Sequence, residues 1–466
     1  MPRKAGALGR ADLGPLLLVN LGVGMHAMIW YMASTVMPSA VQDLGAADSI
    51  SWATTVYLVT TILGAVAMAG AKARFGAWRA MVGAGLLVSL GSLAAAAAPS
   101  IAWVLVGRAL QGLGEGMLVA LSYALVRELF HNTQVPKVFG IQAATWGVAI
   151  FLGPLAGGWL TEVWSWRAAF IGAAVLPLPM LAMGSKILAQ HSQAAGPRLP
   201  APWGRLLTLA LGVMAIGAAD RPDTAAKGGA LLVVGIALIA LVLAIDRRRA
   251  PHLFPTCFPR LRHPVSLGLW VLLLMPLAQA PVYVYGPYIL QIYRGLSPTW
   301  AGYFGATHAL AWSVTAILMS HLAPRFQGRA IVTGPALLTL GLAGLALSTA
   351  SQPLPLVLAS LVVVGVGFGV CNMFINQRIM ASVQPGQEDE TAGAIPTLQG
   401  LGGATSAALA GLAGNAIGLD RELTVDVVHH ASLALYGGGA LLSLLAVWMA
   451  LRFMQALSTG ERACMS

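Results

Sequence analysis

The chain has 466 residues, 58% of them hydrophobic and only 9% charged, more apolar side chain than a soluble domain can bury. The formal charge of +11 would suit nucleic acid, but the basic residues are distributed as a membrane-topology signal, which removes nucleic acid as a partner. Cys257, Cys371 and Cys464 lie far apart, without metal-ligand spacing or a disulfide framework, and no cofactor is implied.

A spanning helix needs about 20 predominantly apolar residues. By that rule the sequence predicts fourteen spans in an all-α integral membrane protein. The basic start MPRKAGALGRADLG leads straight into the first, with no cleavage site. Six spans fall at 13–37, 50–71, 80–98, 101–125, 138–161 and 167–186. Two more follow at 206–219 and 228–245. The last six fall at 265–291, 299–320, 330–349, 354–379, 392–417 and 431–454. With the N-terminus inside, about 21 of the 27 basic residues lie on the inner side, including the cluster Arg247, Arg248, Arg249, Arg260 and Arg262. The expected location is a bacterial inner membrane, with both termini cytoplasmic.

An internal echo accompanies this pattern. "ARFGAWR" (73–79) and "PRFQGR" (324–329) are offset by 251 residues, and the starts of the first and ninth spans by about the same. The expected domains are an N-terminal six-helix bundle over 1–190, a linker with two inserted helices over 191–263, and a C-terminal six-helix bundle with its tail over 264–466. Parallel repeats about a central cavity are a transporter architecture.

Intramembrane polar residues mark candidate sites. In the first span His26 and Trp30 share a face at i and i+4, and His26 could carry a proton. In "VGRALQGLGEGMLVAL" (106–121), Arg108, Gln111 and Glu115 form one stripe. Placing that carboxylate at mid-bilayer costs roughly 3 kcal/mol on insertion scales. Two roles stay open for Glu115: proton or cation binding in a water-accessible cavity, or a structural acid kept neutral or tied to a serine, tyrosine or backbone group. Gly112 and Gly116 form a G-x-x-x-G suited to close helix contact. The ninth span offers Gln279 and Tyr283 as a cavity wall, while Tyr288 and Tyr293 fit an interfacial belt. His308 is a second proton candidate, and Asn372 and Asn376 form an i, i+4 pair for a cavity or a helix interface. Acids such as Glu388 and Glu390 cluster in loops.

"GRALQGLGEG", "WGVAIFLGPLAGGWL" (146–160), "MPSAVQDLG" (37–45), "LQIYRGLSPTWAG" (290–302) and "LQGLGGATSAALAG" (398–411) together resemble the major facilitator superfamily, in its fourteen-helix drug:proton antiporter branch. The resemblance implies that Gly153, Pro154, Gly157 and Gly158 form the fifth-helix antiporter motif of exporters. It also implies an acid in the first helix, where this chain has Ile29. The family's loop aspartate is replaced by Ala73 and Pro324, and Gln399 stands where arginine is frequent.

No P-loop and no nucleophile–base set occurs, so the chain reads neither as an ATP-driven pump nor as an enzyme. The leading expectation is a proton-coupled exporter of amphipathic small molecules, with substrate, protons and membrane lipid as partners. The alternatives are an exporter or facilitator of one metabolite without tight proton coupling, and a non-transporting receptor on the same fold.

Overall fold

The computed structural model describes residues 9, 12–131, 133–188, 202–220, 225–384 and 386–465. Arg3, Lys4, Arg10 and Arg198 therefore lie outside the described residues. Every regular element among the described residues is helical. The order is α1 (Leu13–Asp43), α2 (Ile50–Ala96), α3 (Ile101–Leu129), α4 (Val135–Val163), α5 (Trp166–Val175) and α6 (Pro177–Ile187). Then come α7 (Trp203–Gly217), α8 (Ala225–Asp246), α9 (Pro264–Val284) and the short α10 (Gly286–Tyr288). The last six are α11 (Pro298–Met319), α12 (Pro324–Ser348), α13 (Leu354–Ala381), α14 (Glu388–Ile417), α15 (Val425–Ser432) and α16 (Gly438–Met465).

Each expected segment falls in helix, but by length and composition ten helices among the described residues can cross a membrane, where the sequence predicts fourteen. The difference has local causes. α2 runs through two expected segments as one helix, turned at Gly76, whose φ of 81° only glycine adopts without strain. α7 is short, at 15 residues. α11 and α14 are long enough but too polar, with His308 and Thr315 in one and Gln399, Ser406 and Asn415 in the other. The segment at 167–186 still counts as one span, Trp166–Ile187, although Pro177, which lacks an amide donor, divides it into α5 and α6.

The chain forms two compact units. The first comprises Met1–Ala46, Val56–Ala201 and Ser297–Tyr303. In it α1 packs against α3, α4, α5 and α6 around Leu18, Ile29, Met81, Leu118 and Leu121. Lipid tails are as apolar as leucine, so close packing rather than water exclusion holds such helices together. Small residues supply it. Gly91 and Gly107 bring α2 and α3 into backbone contact, and a Cβ on Gly114 would sit 2.6 Å from the Ala84 carbonyl oxygen. Asp43, at the end of α1, accepts from Arg167 Nη1 at 2.7 Å and Trp166 Nε1 at 3.0 Å, pinning the start of α5.

The second unit comprises Ala47–Thr55, Pro202–Leu296 and Phe304–Ser466. α9 packs against α14 and α16, and α12 against α13 and α16. Again glycines set the approach: Gly334 meets Cys371 and Gly367, and Gly341 meets Val364. α7 and α8 pair through Gly212 and Gly235, and α7 rests on α14. α8 leaves most of its surface uncovered, only 11% of its spanning window being buried. Arg205 pairs with Asp246, whose carboxylate also accepts from the Leu253 and Phe254 amides, closing the end of this hairpin.

Candidate functional site

The chemistry of the first unit gathers where α1, α2 and α3 meet. Gly112 and Gly116 of α3 press on the backbone of α2: a Cβ at either would overlap the carbonyl of Tyr57 or of Thr61. This approach, which larger residues forbid, puts the Tyr57 hydroxyl within reach of the neighbouring stripe of α3. Tyr57 Oη donates to Glu115 Oε2 at 2.6 Å. His26 Nδ1, from α1, lies 2.9 Å from the same oxygen and 3.0 Å from the tyrosine hydroxyl. Three groups from three helices thus converge, with the histidine and the phenol both meeting one carboxylate oxygen. The other oxygen, Oε1, is buried with no hydrogen-bond partner.

Aromatic rings enclose the triad. The His26 and Tyr57 rings are stacked at 6.3 Å, and Trp146 of α4 meets His26 edge-on at 5.9 Å. Trp30 lies 5.4 Å from the Tyr57 ring. Arg108 sits over Tyr57 with its guanidinium carbon 4.0 Å from the ring centroid. A cation–π contact out of water is worth about 2 kcal/mol or more, which offsets part of the cost of burying the charge. Arg108 Nη1 donates to Gln111 Oε1 at 2.7 Å, and Gln111 Nε2 donates to Ser92 Oγ at 2.7 Å, while Arg108 Nε has no partner. Glu115 and Gln111 are fully buried, whereas the His26 side chain keeps 17% of its surface exposed. His26 is thus the accessible end of the triad.

One proton between Nδ1 and Oε2 satisfies the histidine–glutamate contact on either atom and leaves the pair with one negative charge. A second proton, on Oε1 or on the far imidazole nitrogen, makes the pair neutral beside Arg108. The arrangement can therefore take a second proton or receive a cation at Oε1, and the two compete because the second proton removes the negative charge that attracts the cation.

Of the residues singled out in the sequence, the structure brings together His26, Trp30, Arg108, Gln111 and Glu115. The stripe on α3 is real, but Arg108 turns to Tyr57 and Gln111 rather than to the carboxylate. Ile29 is buried in the apolar core, 1% exposed. Gly153 and Gly157 seat α4 on α1, where added Cβ atoms would lie 2.6 Å from Tyr31 Cβ and 3.0 Å from Met32 Cα. Gly158 abuts Thr299, and a Cβ on Gly302 would sit 2.9 Å from Pro154 Cβ.

His308, Gln279, Tyr283, Asn372 and Asn376 belong to the second unit. His308 is 6% exposed and its Nδ1 contacts the Gly305 carbonyl, one turn back on its own helix. Gln279 is buried and Tyr283 half-buried. Asn372 Oδ1 accepts from Gln399 Nε2 at 3.3 Å, while Asn376 Oδ1 is buried without a partner. Tyr288 is no belt residue: it is 4% exposed and donates to the Leu419 carbonyl at 3.1 Å. Sequence reasoning missed Tyr57, Ser92 and Trp146. The one available signal was Tyr57 itself, a lone phenol in the aliphatic and threonine run "SWATTVYLVTT".

The sequence profile of the Major Facilitator Superfamily matches residues 19–407. The chain belongs to this superfamily. A relative called a probable multidrug-efflux transporter, from Mycobacterium tuberculosis, is 30% identical over 86% of this chain and 88% of its own length. The puromycin resistance protein of Streptomyces alboniger is 29% identical over 80% of this chain and 76% of its own. The riboflavin transporter of Clostridioides difficile is 24% identical over 83% and 84%. Among solved structures, the peptide transporter POT in complex with sulfate matches with a TM-score of 0.68 at 19% identity, over 95% of both chains. At that identity the likeness concerns the superfamily fold alone. Family and relatives indicate a multi-pass membrane transporter rather than an enzyme.

Proposed function

We propose that this superfamily member is a proton-coupled exporter of amphipathic small molecules, working by alternating access, with the proton carried by the His26–Tyr57–Glu115 triad. The observation that carries the reading is Glu115: a fully buried carboxylate in a spanning helix, one oxygen engaged and the other unpartnered. A second proton and a cationic substrate compete for that site, which is the exclusion an antiporter needs. Each ligand then shifts the conformational equilibrium only through its different affinity for the two states. Relatives named for multidrug efflux and puromycin resistance support export. The fourteen-helix branch is part of the proposal, supported by the bend in α2 and by the helical α7, α11 and α14. So are bundles at 1–190 and 264–466 and cytoplasmic termini in an inner membrane.

Glu115→Gln keeps shape but cannot ionise. In proteoliposomes with an imposed pH gradient, the variant should insert normally yet lose gradient-driven efflux of a cationic dye. Transport that matches the parent across a pH series would make Glu115 a packing residue. A second reading, export of one metabolite without tight proton coupling, is favoured by buried Ile29 at the expected acidic position and by the riboflavin-transporting relative. It predicts efflux unchanged when the proton gradient is collapsed.

A further inference from the structure

Away from the triad, a polar cavity lies in the second unit, beyond the end of α8 and the start of α9. It has a volume of about 490 Å³ and is lined by Arg247, Arg248, Arg260, His263, Cys257 and Gln387 among others. The three arginines are exposed, and no described carboxylate forms an ion pair with any of them. The acids nearest in sequence are engaged elsewhere. Asp246 is held by Arg205 and two loop amides, and Glu388 accepts from the Gly386 amide at 2.8 Å. His263 Nδ1 is buried with no hydrogen-bond partner. The first turn of α9 contributes Val265 to the same wall, so that helix N-terminus adds its positive dipole end, while the first turn of α14, which contributes Thr391, carries its own acids from Glu388 onward. The basic charge here is concentrated and is not tied up in close ion pairs among the described residues.

Position narrows the ligand. α8 ends as a membrane span at Asp246, and α9 begins one at Pro264. The cavity is therefore at the depth of phospholipid headgroups, where basic residues are attracted to an anionic leaflet. Guanidinium groups match phosphate oxygens in a planar, two-pronged geometry.

We propose that this cavity is a phosphate-binding site, in which Arg247, Arg248 and Arg260 clamp a phosphate group carried by an anionic lipid or free in solution. The site is separate from the triad and does not depend on what is transported.

Cys257 reports on occupancy, because its thiol sits in the same wall. The full chain carrying Cys464→Ser is alkylated with N-ethylmaleimide and followed by intact mass. One arm compares nanodiscs of phosphatidylcholine with nanodiscs containing phosphatidylglycerol. The other compares inorganic phosphate with chloride at equal ionic strength in detergent. Phosphatidylglycerol should slow Cys257 alkylation several-fold. Slowing by the lipid alone identifies a headgroup, and slowing by inorganic phosphate as well identifies a site open to the free ion. The triple variant Arg247→Gln, Arg248→Gln, Arg260→Gln should abolish the protection while keeping the parent's melting temperature. Should the triple variant misfold, Arg260→Gln alone should weaken it. Alkylation that neither phosphate source slows, or that is slowed equally in the arginine variants, would overturn the proposal.

Discussion

Tyr57 serves the triad in two separable ways. Its hydroxyl donates to Glu115 and its ring carries Arg108. A hydrogen bond to a charged group is worth about 1.5–3 kcal/mol, so Tyr57→Phe should leave the arginine seated but weaken the hold on the carboxylate. The expected outcome is near-parental abundance, efflux reduced several-fold and an altered pH profile. Tyr57→Ala also removes the face under a buried guanidinium whose Nε already lacks a partner, so membrane abundance should fall as well. Efflux by both variants, normalised to quantitative membrane blots, separates the two roles. Equal loss of abundance in both would mean that the hydroxyl is structural.

The contact of α2 with α3 positions everything in the site, and it rests on glycines. Gly116 faces the Thr61 carbonyl without room for a methyl group, so Gly116→Val should force the helices apart, at about 1–3 kcal/mol for overpacking. Gly83, in the same α2, has open space where a Cβ would go, with nothing within 4 Å, so Gly83→Ala should be neutral or stabilising by up to about 1 kcal/mol through helix propensity. Thermal unfolding in detergent compares them, and a Gly116→Val protein as stable as the parent would contradict this packing. The same contact shows what was legible in the sequence. The G-x-x-x-G of α3 announced a close neighbour, and the 3.6-residue period placed Arg108, Gln111 and Glu115 on one stripe. Which helix came close was not legible, because Tyr57 lies 58 residues from Glu115 and helix periodicity carries no information about partners. The bend in α2 was equally hidden, since Gly76 becomes a turn only through its φ of 81°.

Across the molecule, the echo read in the sequence recurs as local geometry in each unit. Arg74 lies 5.2 Å from the ring centroid of Phe75, and Arg325 lies 4.7 Å from that of Phe326. Each pair occurs on a helix whose glycines meet the next helix, Gly91 against Gly107 in one unit and Gly334 against Gly367 in the other. A chain with this arginine distribution should have a fixed orientation, with the loop between α8 and α9 in the cytoplasm. Cys257 tests it. The thiol is half-buried, and burial pushes its pKa above the ordinary cysteine value. The thiolate is the reacting form, so labelling should be slow at neutral pH and accelerate as pH rises through that elevated pKa. In a Cys464→Ser background Cys371 contributes no signal, being fully buried in α13. A membrane-impermeant maleimide at alkaline pH should therefore label Cys257 in inverted vesicles and leave it untouched in intact cells. Labelling from outside intact cells would reverse the topology.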